Sequence, residues 1–213
     1  MKANPANPLV VVTPVYEDLD AARQLFRELA AVLPPGSRVV VVDDGSVRAP
    51  VHSSELAAAG LRGAVLRLRR NVGHQRAIAI GLNYVAAELP RMDVVVMDAD
   101  GEDVPASIAT LAAAAAPDDV DVAVARRRGR SESLAFRCFY LLYKLLFLLA
   151  TGRPIAFGNF MLLKPDALAR VVAMPELWIH AAACVLNSRL RLVACPLDRG
   201  KRYAGNSRMN FVS

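Results

Sequence analysis

The chain has 213 residues, is 54% hydrophobic but only 6% aromatic, and carries a formal net charge of +6. That length suffices for one α/β domain with a sizeable core, and the positive balance favours anionic partners such as phosphates or an acidic membrane surface. Basic residues interleaved with aromatics are scarce, which sets nucleic acid aside, and no uncharged stretch reaches the roughly 18 apolar residues of a bilayer-spanning helix.

Leu9 to Thr13 is a short β-branched run that predicts a first strand, halted by Pro14, which fixes φ and exposes the backbone beyond it. No basic start followed by an apolar run precedes it, so no signal peptide is read. Asp20 to Leu33 has helical spacing and stops at Pro34-Pro35-Gly36. Arg38 to Val42 predicts strand 2, leading into Asp43-Asp44-Gly45-Ser46, and Ala64 to Leu68 predicts strand 3, leading into Arg70-Asn71-Val72-Gly73. Gln75 to Leu89 is helical, Asp93 to Met97 predicts strand 4, Ala106 to Ala116 an alanine-rich helix, and Val120 to Ala125 strand 5. The alternation predicts a mostly parallel, Rossmann-like sheet with helices on both faces, the polar loops after strands 1 to 4 emerging on one edge. The three cysteines, Cys138, Cys184 and Cys195, lack CxxC spacing and read as core fillers in a reducing compartment.

The most informative segment follows strand 4, where an apolar run drives into Asp98-Ala99-Asp100-Gly101-Glu102-Asp103. Asp98 and Asp100 are two apart and share one face of an extended chain, with Glu102 in phase. Two converging carboxylates repel unless a cation lies between them. Mg²⁺ or Mn²⁺ held by one or two carboxylates, with phosphates and water completing the shell, fits that pattern. An acidic loop capping the helix that starts at Pro105 fits it as well.

After Ala125 a basic run, Arg126-Arg127-Arg128-Gly129-Arg130, leads into an apolar segment, Leu134 to Ala150. Arg130, Arg137 and Lys144 are seven apart and form one basic stripe on a helix. Internal charges make such a helix costly across a bilayer, whereas one lying in the headgroup plane keeps them wet. A core helix with a solvated stripe is the other reading.

Five segments, in order, carry a family resemblance: Thr13-Pro14-Val15-Tyr16-Glu17-Asp18, Val41-Val42-Asp43-Asp44-Gly45-Ser46, Arg70-Asn71-Val72-Gly73-His74, Met97 to Pro105, and Arg202-Tyr203-Ala204-Gly205-Asn206-Ser207. The set resembles the inverting family 2 glycosyltransferases of GT-A fold, nearest to those acting on polyprenyl (dolichyl or undecaprenyl) phosphate. The resemblance implies that Pro14, Tyr16 and Glu17 cup the nucleoside of a nucleoside diphosphate sugar and that Asp44 accepts from the base. It implies that Asn71, Gly73 and His74, which stands where the family often has Lys, approach ribose and phosphates. Asp98 and Ala99 belong to the same donor-facing set. Asp98, Asp100 and Glu102 are the implied metal set, with Asp100 the strongest direct ligand. Arg202 and Ser207 match the segment that folds over the phosphates.

The sequence departs from the family at Gly158-Asn159-Phe160-Met161-Leu162, where many members have an aspartate in the acceptor region. Asn159 cannot accept a proton. A phosphate acceptor needs no base, and the remaining candidates for one are Asp103 and His180. The expectation is therefore one catalytic domain over 1–213. Residues 9–125 would form the nucleotide-sugar-binding core and 126–213 the acceptor and membrane-facing part, with Asp98, Asp100 and Asp103 catalytic and Asn159 and Phe160 in the acceptor region. The helix from Ser133 to Ala150 would lie on an anionic membrane surface at the cytoplasmic face. The chain would be peripheral there, or anchored by a segment absent from this sequence. Transfer to a saccharide or lipid hydroxyl, and a non-catalytic nucleotide-binding module, are the alternatives. No feature sets an oligomeric state.

Overall fold

The computed structural model describes residues 7–127 and 157–203. Seven strands form one sheet: β1 (Leu9–Val15), β2 (Arg38–Asp43), β3 (Gly63–Arg67), β4 (Asp93–Val96), β5 (Val122–Arg127), β6 (Met161–Leu163) and β7 (Leu192–Leu197). They are ordered β3-β2-β1-β4-β6-β5-β7. β1 pairs in parallel with β2 and β4, and β2 with β3, so these four C-terminal ends share one edge. β6 runs antiparallel between β4 and β5, and β7 lies parallel beside β5. β6 and β7 come from beyond residue 126, so the sheet crosses the expected division at Ala125.

The helices are α1 (Leu19–Val32), α2 (Ser53–Ala58), α3 (His74–Glu88), α4 (Ile108–Ala115), α5 (Pro165–Val172) and α6 (Ala181–Asn187). Alternate valines of β1 point to opposite faces, as a strand requires. Val11 and Val15 pack with Leu25, Phe26 and Leu29 of α1 and Leu111 of α4. Val10 and Val12 pack with Ile78 and Leu82 of α3, Leu168 of α5 and Val185 of α6. A sheet covered on both faces accounts for runs of valine without polar alternation.

Several expectations are corrected. Pro14 does not halt β1, which continues to Val15 with Pro14 buried in register with Val42. The Val12 carbonyl faces β4, where it accepts the Met97 N–H at 3.1 Å, and the Val15 carbonyl faces β2. Pro14 is in phase with Val12, so its missing N–H falls on the β4 side, past the last rung at Val12↔Val96. The helix expected from Ala106 opens as a 3₁₀ turn, Pro105–Ser107, before α4 begins. β5 extends to Arg127 because β7 pairs it that far. The expected membrane-facing helix, 133–150, lies outside the described residues. Among the described residues, no helix is long and apolar enough to cross a membrane.

Candidate active site

Acidic side chains gather at the edge where β1, β2 and β4 end, and they divide into two kinds. The first kind grips backbone. Glu17 sits in the left-handed region at φ 50°, a strained choice for a non-glycine residue. Its N–H donates to Ser46 Oγ at 2.8 Å, and its carboxylate accepts from the N–H groups of Val47 (2.8 Å) and Ala49 (3.0 Å). The Val47 N–H, helped by Arg48 and Ala49, holds the Glu17 carboxyl below its ordinary pKa against the opposing effect of burial. Asp43 accepts from the Ser46 and Val51 N–H groups, each at 2.8 Å. Asp44 accepts from Val72 at 2.7 Å and Gly73 at 3.0 Å, which fixes the turn into α3. Burial raises the Asp44 pKa despite those two donors. Tyr16 stands exposed at the rim, as does Asn71.

The second kind surrounds the end of β4. Asp103 turns back to accept the Asp98 N–H at 2.9 Å, and Asp100 Oδ1 accepts the Glu102 N–H at 2.9 Å, which curls the loop. The segment 199–203, a hundred residues on, is stitched onto that curl. The Gly200 N–H donates to the Glu102 carbonyl at 2.9 Å and the Tyr203 N–H to the Asp100 carbonyl at 3.0 Å. Tyr203 Oη donates to Glu28 Oε2 of α1 at 2.8 Å. The approach demands glycine: Gly101 has φ +88°, and a Cβ there would lie 2.9 Å from the Lys201 carbonyl oxygen and the Tyr203 ring. Arg202 donates from Nη2 to Asp100 Oδ2 at 2.7 Å and from Nε to Glu102 Oε1 at 3.2 Å. Arg199 pairs with Glu102 Oε2. Burial, reinforced by the charge on Asp98, raises the Asp100 pKa; Arg202, Arg199 and His74 oppose this without cancelling it.

His74, the first residue of α3, brings Nε2 to 3.1 Å from Asp98 Oδ1. The contact is an ion pair when His74 is protonated, and no hydrogen bond is counted to that buried oxygen. Burial pulls the His74 pKa down, but Asp98, followed by Asp100 and Asp103, outweighs it, so the net shift is upward. Asn159 Nδ2 lies 3.1 Å from the same His74 nitrogen, and Gln75 bridges Asn159 Oδ1 (3.4 Å) to the Ala181 N–H (2.8 Å). Asn159 therefore reaches the β4 tip through α3. His180 is taken up in capping α6, where Nδ1 accepts the Ala183 N–H at 3.3 Å, and burial lowers its pKa.

The structure thus brings together Asp98, Asp100, Glu102, His74, Asn159 and Arg202. It places Asp44 and Glu17 on loop backbone rather than open to a ligand, although a carboxylate keeps further acceptor capacity. Ala99 and Phe160 are 8% and 6% exposed and pack in the core. Gly73, at φ +94°, opens α3 with no side chain in the way. Ser207 lies outside the described residues. Sequence reasoning missed Arg199 and Gln75; the signal for Arg199 was its place three residues before Arg202 in one basic run.

Of the three acids of the expected metal set, Asp98 faces His74, Asp100 shares one oxygen with Arg202, and Glu102 is held by two arginines, so a divalent cation would find Asp98 and Asp100 the less occupied pair. Carboxylate oxygens suit a hard cation, and the buried Asp98 Oδ1, in ion-pair contact with His74 but with no hydrogen bond counted to it, is such an oxygen. Glu102 is turned away to Arg199 and Arg202. Accordingly, among the described residues no three acidic, histidine or cysteine side chains form a ready cage.

Residues 10–170 match the family model described as Glycosyl transferase family 2, and the chain belongs to that family. An undecaprenyl-phosphate 4-deoxy-4-formamido-L-arabinose transferase of Klebsiella pneumoniae is 26% identical over 218 residues, covering 98% of this chain and 64% of the relative. One from Sodalis glossinidius is 33% identical over 128 residues, 58% of this chain and 38% of the relative. The chain spans just under two thirds of the Klebsiella relative's length. Among solved structures, a Mycobacterium tuberculosis glucosyl-3-phosphoglycerate synthase with Mn²⁺, UDP and phosphoglyceric acid superposes with a TM-score of 0.63 at 15% identity, covering 94% of this chain and 72% of the other. A Pyrobaculum calidifontis mannosyltransferase with GDP-Man and Mn²⁺ gives a TM-score of 0.61 at 17% identity, covering 94% and 59%. These likenesses establish the fold as the GT-A arrangement that the sequence led us to expect.

Proposed function

We propose that the chain is the catalytic domain of an inverting, metal-dependent glycosyltransferase. It moves a sugar from a nucleoside diphosphate sugar to a polyprenyl phosphate at the cytoplasmic membrane face. The observation that carries this reading is the pairing of Asp100 and Glu102 with Arg202 and Arg199 beside Asp98 at the tip of β4. Carboxylates for a hard cation and guanidinium forks for phosphates are the two halves of a diphosphate site. The solved neighbours that hold Mn²⁺ with UDP or GDP-Man support the donor class. The names of the curated relatives support the acceptor.

In the transfer, an acceptor phosphate oxygen attacks the anomeric carbon. The bond from that carbon to the diphosphate breaks, and its electron pair leaves with the nucleoside diphosphate. A bound divalent cation, held by Asp98 and Asp100, would supply charge stabilisation to that leaving group. Arg202 and Arg199 supply donors to the same phosphates, the electrostatic help that commonly dominates such reactions. A phosphate acceptor is ionised at neutral pH and asks for no general base. That suits a site where Asn159 stands in the acceptor region and Asp103 is engaged with the Asp98 N–H.

The test is a panel of UDP- and GDP-sugars offered with undecaprenyl phosphate and Mn²⁺ or Mg²⁺, the lipid product being read by mass spectrometry. A glycosylated phospholipid with release of nucleoside diphosphate, abolished by EDTA, is expected. Release of pyrophosphate, or activity indifferent to EDTA, would contradict the reading.

A further inference from the structure

Asp100 has two carboxylate oxygens, and each already has a partner. Oδ1 accepts the Glu102 N–H, which shapes the loop, and Oδ2, the one left for a ligand, is covered by Arg202 at 2.7 Å. A cation that comes to Asp100 therefore meets a guanidinium in its place, and two cations sharing one oxygen repel. Arg202 holds its second carboxylate, Glu102, through a different nitrogen, Nε. Glu102 is itself fixed from the other side by Arg199. Backbone bonds from Gly200 and Tyr203 clamp the segment on both sides of Arg202, and Tyr203 is tied to Glu28. Arg202 can thus release Asp100 while its backbone stays where it is.

We propose that Arg202 is a latch that couples metal to nucleotide: it neutralises Asp100 in the free chain, yields that carboxylate to the cation, and is kept at the rim by Glu102, ready for the diphosphate. Glu102 is then a positioning residue rather than a metal ligand. The cation alone has to displace an ion pair. The cation with a diphosphate does not, because the phosphates give the released guanidinium a new partner. By linkage, nucleotide tightens metal binding and metal tightens nucleotide binding by the same factor. The proposal rests on the metal reading above.

The test is Mn²⁺ binding to the whole chain, followed by the electron paramagnetic resonance signal of free Mn²⁺, with and without UDP or GDP. The parent is expected to bind Mn²⁺ weakly alone and at least about fivefold more tightly with nucleotide. Arg202→Met should bind Mn²⁺ more tightly than the parent when no nucleotide is present, and should lose most of the nucleotide effect. Arg202→Lys, which keeps the charge but not the fork, should fall between them and guards against a misfolded variant. Glu102→Gln should reduce the nucleotide effect without raising the affinity for Mn²⁺ alone. If the parent responds to nucleotide but folded Arg202→Met binds Mn²⁺ alone no more tightly, the latch is overturned while the metal reading stands. If no variant binds Mn²⁺ with either nucleotide, the metal reading falls and takes the latch with it.

Discussion

The acids that end β1 and β2 and the acids that follow β4 occupy the same edge of one sheet, yet they are neutralised in opposite ways. Asp43 and Glu17 spend their oxygens on backbone N–H groups of neighbouring loops. Asp100 and Glu102 meet arginine side chains from a segment about a hundred residues away. A backbone donor cannot leave without unmaking the loop, whereas a side chain can swing to another anion. Acids of the first kind hold loop backbone; of the second kind, Asp100 is the one that, in the reading proposed above, exchanges its arginine for a ligand while Glu102 keeps its own.

Substitutions should separate the two kinds. The largest effect is expected at Asp100: Asp100→Ala should cut sugar transfer at least about a hundredfold. Its Tm should stay within about 4 °C of the parent, because the one backbone N–H it strands, that of Glu102, lies in a partly exposed loop. A large loss of Tm in that variant would erase the distinction. Asp43→Ala should behave in the reverse way. It strands two buried N–H donors at about 1–3 kcal/mol each, which lowers the Tm by about 5–15 °C in a chain of this size, and thermal denaturation reads it directly.

Gly101→Ala should have a smaller effect. A residue with a Cβ at φ +88° costs about 1–2 kcal/mol, and it would push Lys201 and Tyr203 off the loop. The expected result is a drop of a few degrees in Tm together with weaker nucleotide binding, measured by calorimetry. An unchanged nucleotide affinity would show that segment 199–203 is only a structural brace.

The smallest effect concerns a pair that belongs to neither kind. Asp121 is gripped by the Arg191 guanidinium at 2.6 and 2.9 Å, which holds its carboxyl down from 3.8 to about 2. A carboxyl whose pKa is lower in the folded chain stabilises fully above its unfolded value and loses that contribution as the pH falls from 3.8 toward 2. Asp121→Asn should flatten the fall of Tm across that window slightly, the pair being near the surface.

How much of this was legible in the sequence depended on range. The valine runs of β1, β2 and β4 could be read because a strand buried on both faces must be apolar throughout. The family motifs put the acids at strand ends. β6 was not legible as a strand: Met161–Leu163 is three residues long and is extended only because β4 and β5 pair with it from both sides. The role of Pro14 was misread because a proline can stay in a strand once the neighbour on its N–H side has ended, a fact of register rather than composition. Glu102 was in phase with the two aspartates along the chain. Its true partners were Arg199 and Arg202, and no local spacing reveals a contact across a hundred residues. The capture of Asp44 by the Val72 and Gly73 N–H groups was hidden for the same reason.

The most direct measurement is anomalous diffraction at the manganese edge from crystals soaked with Mn²⁺ and a UDP- or GDP-sugar. A peak about 2 Å from an oxygen of Asp98 or Asp100, with Arg202 turned from Asp100 to the phosphates, is the expected result. Nucleotide density accompanied by no manganese at either aspartate, with Arg202 still on Asp100, would contradict the division between fixed and exchangeable acids on which the site rests.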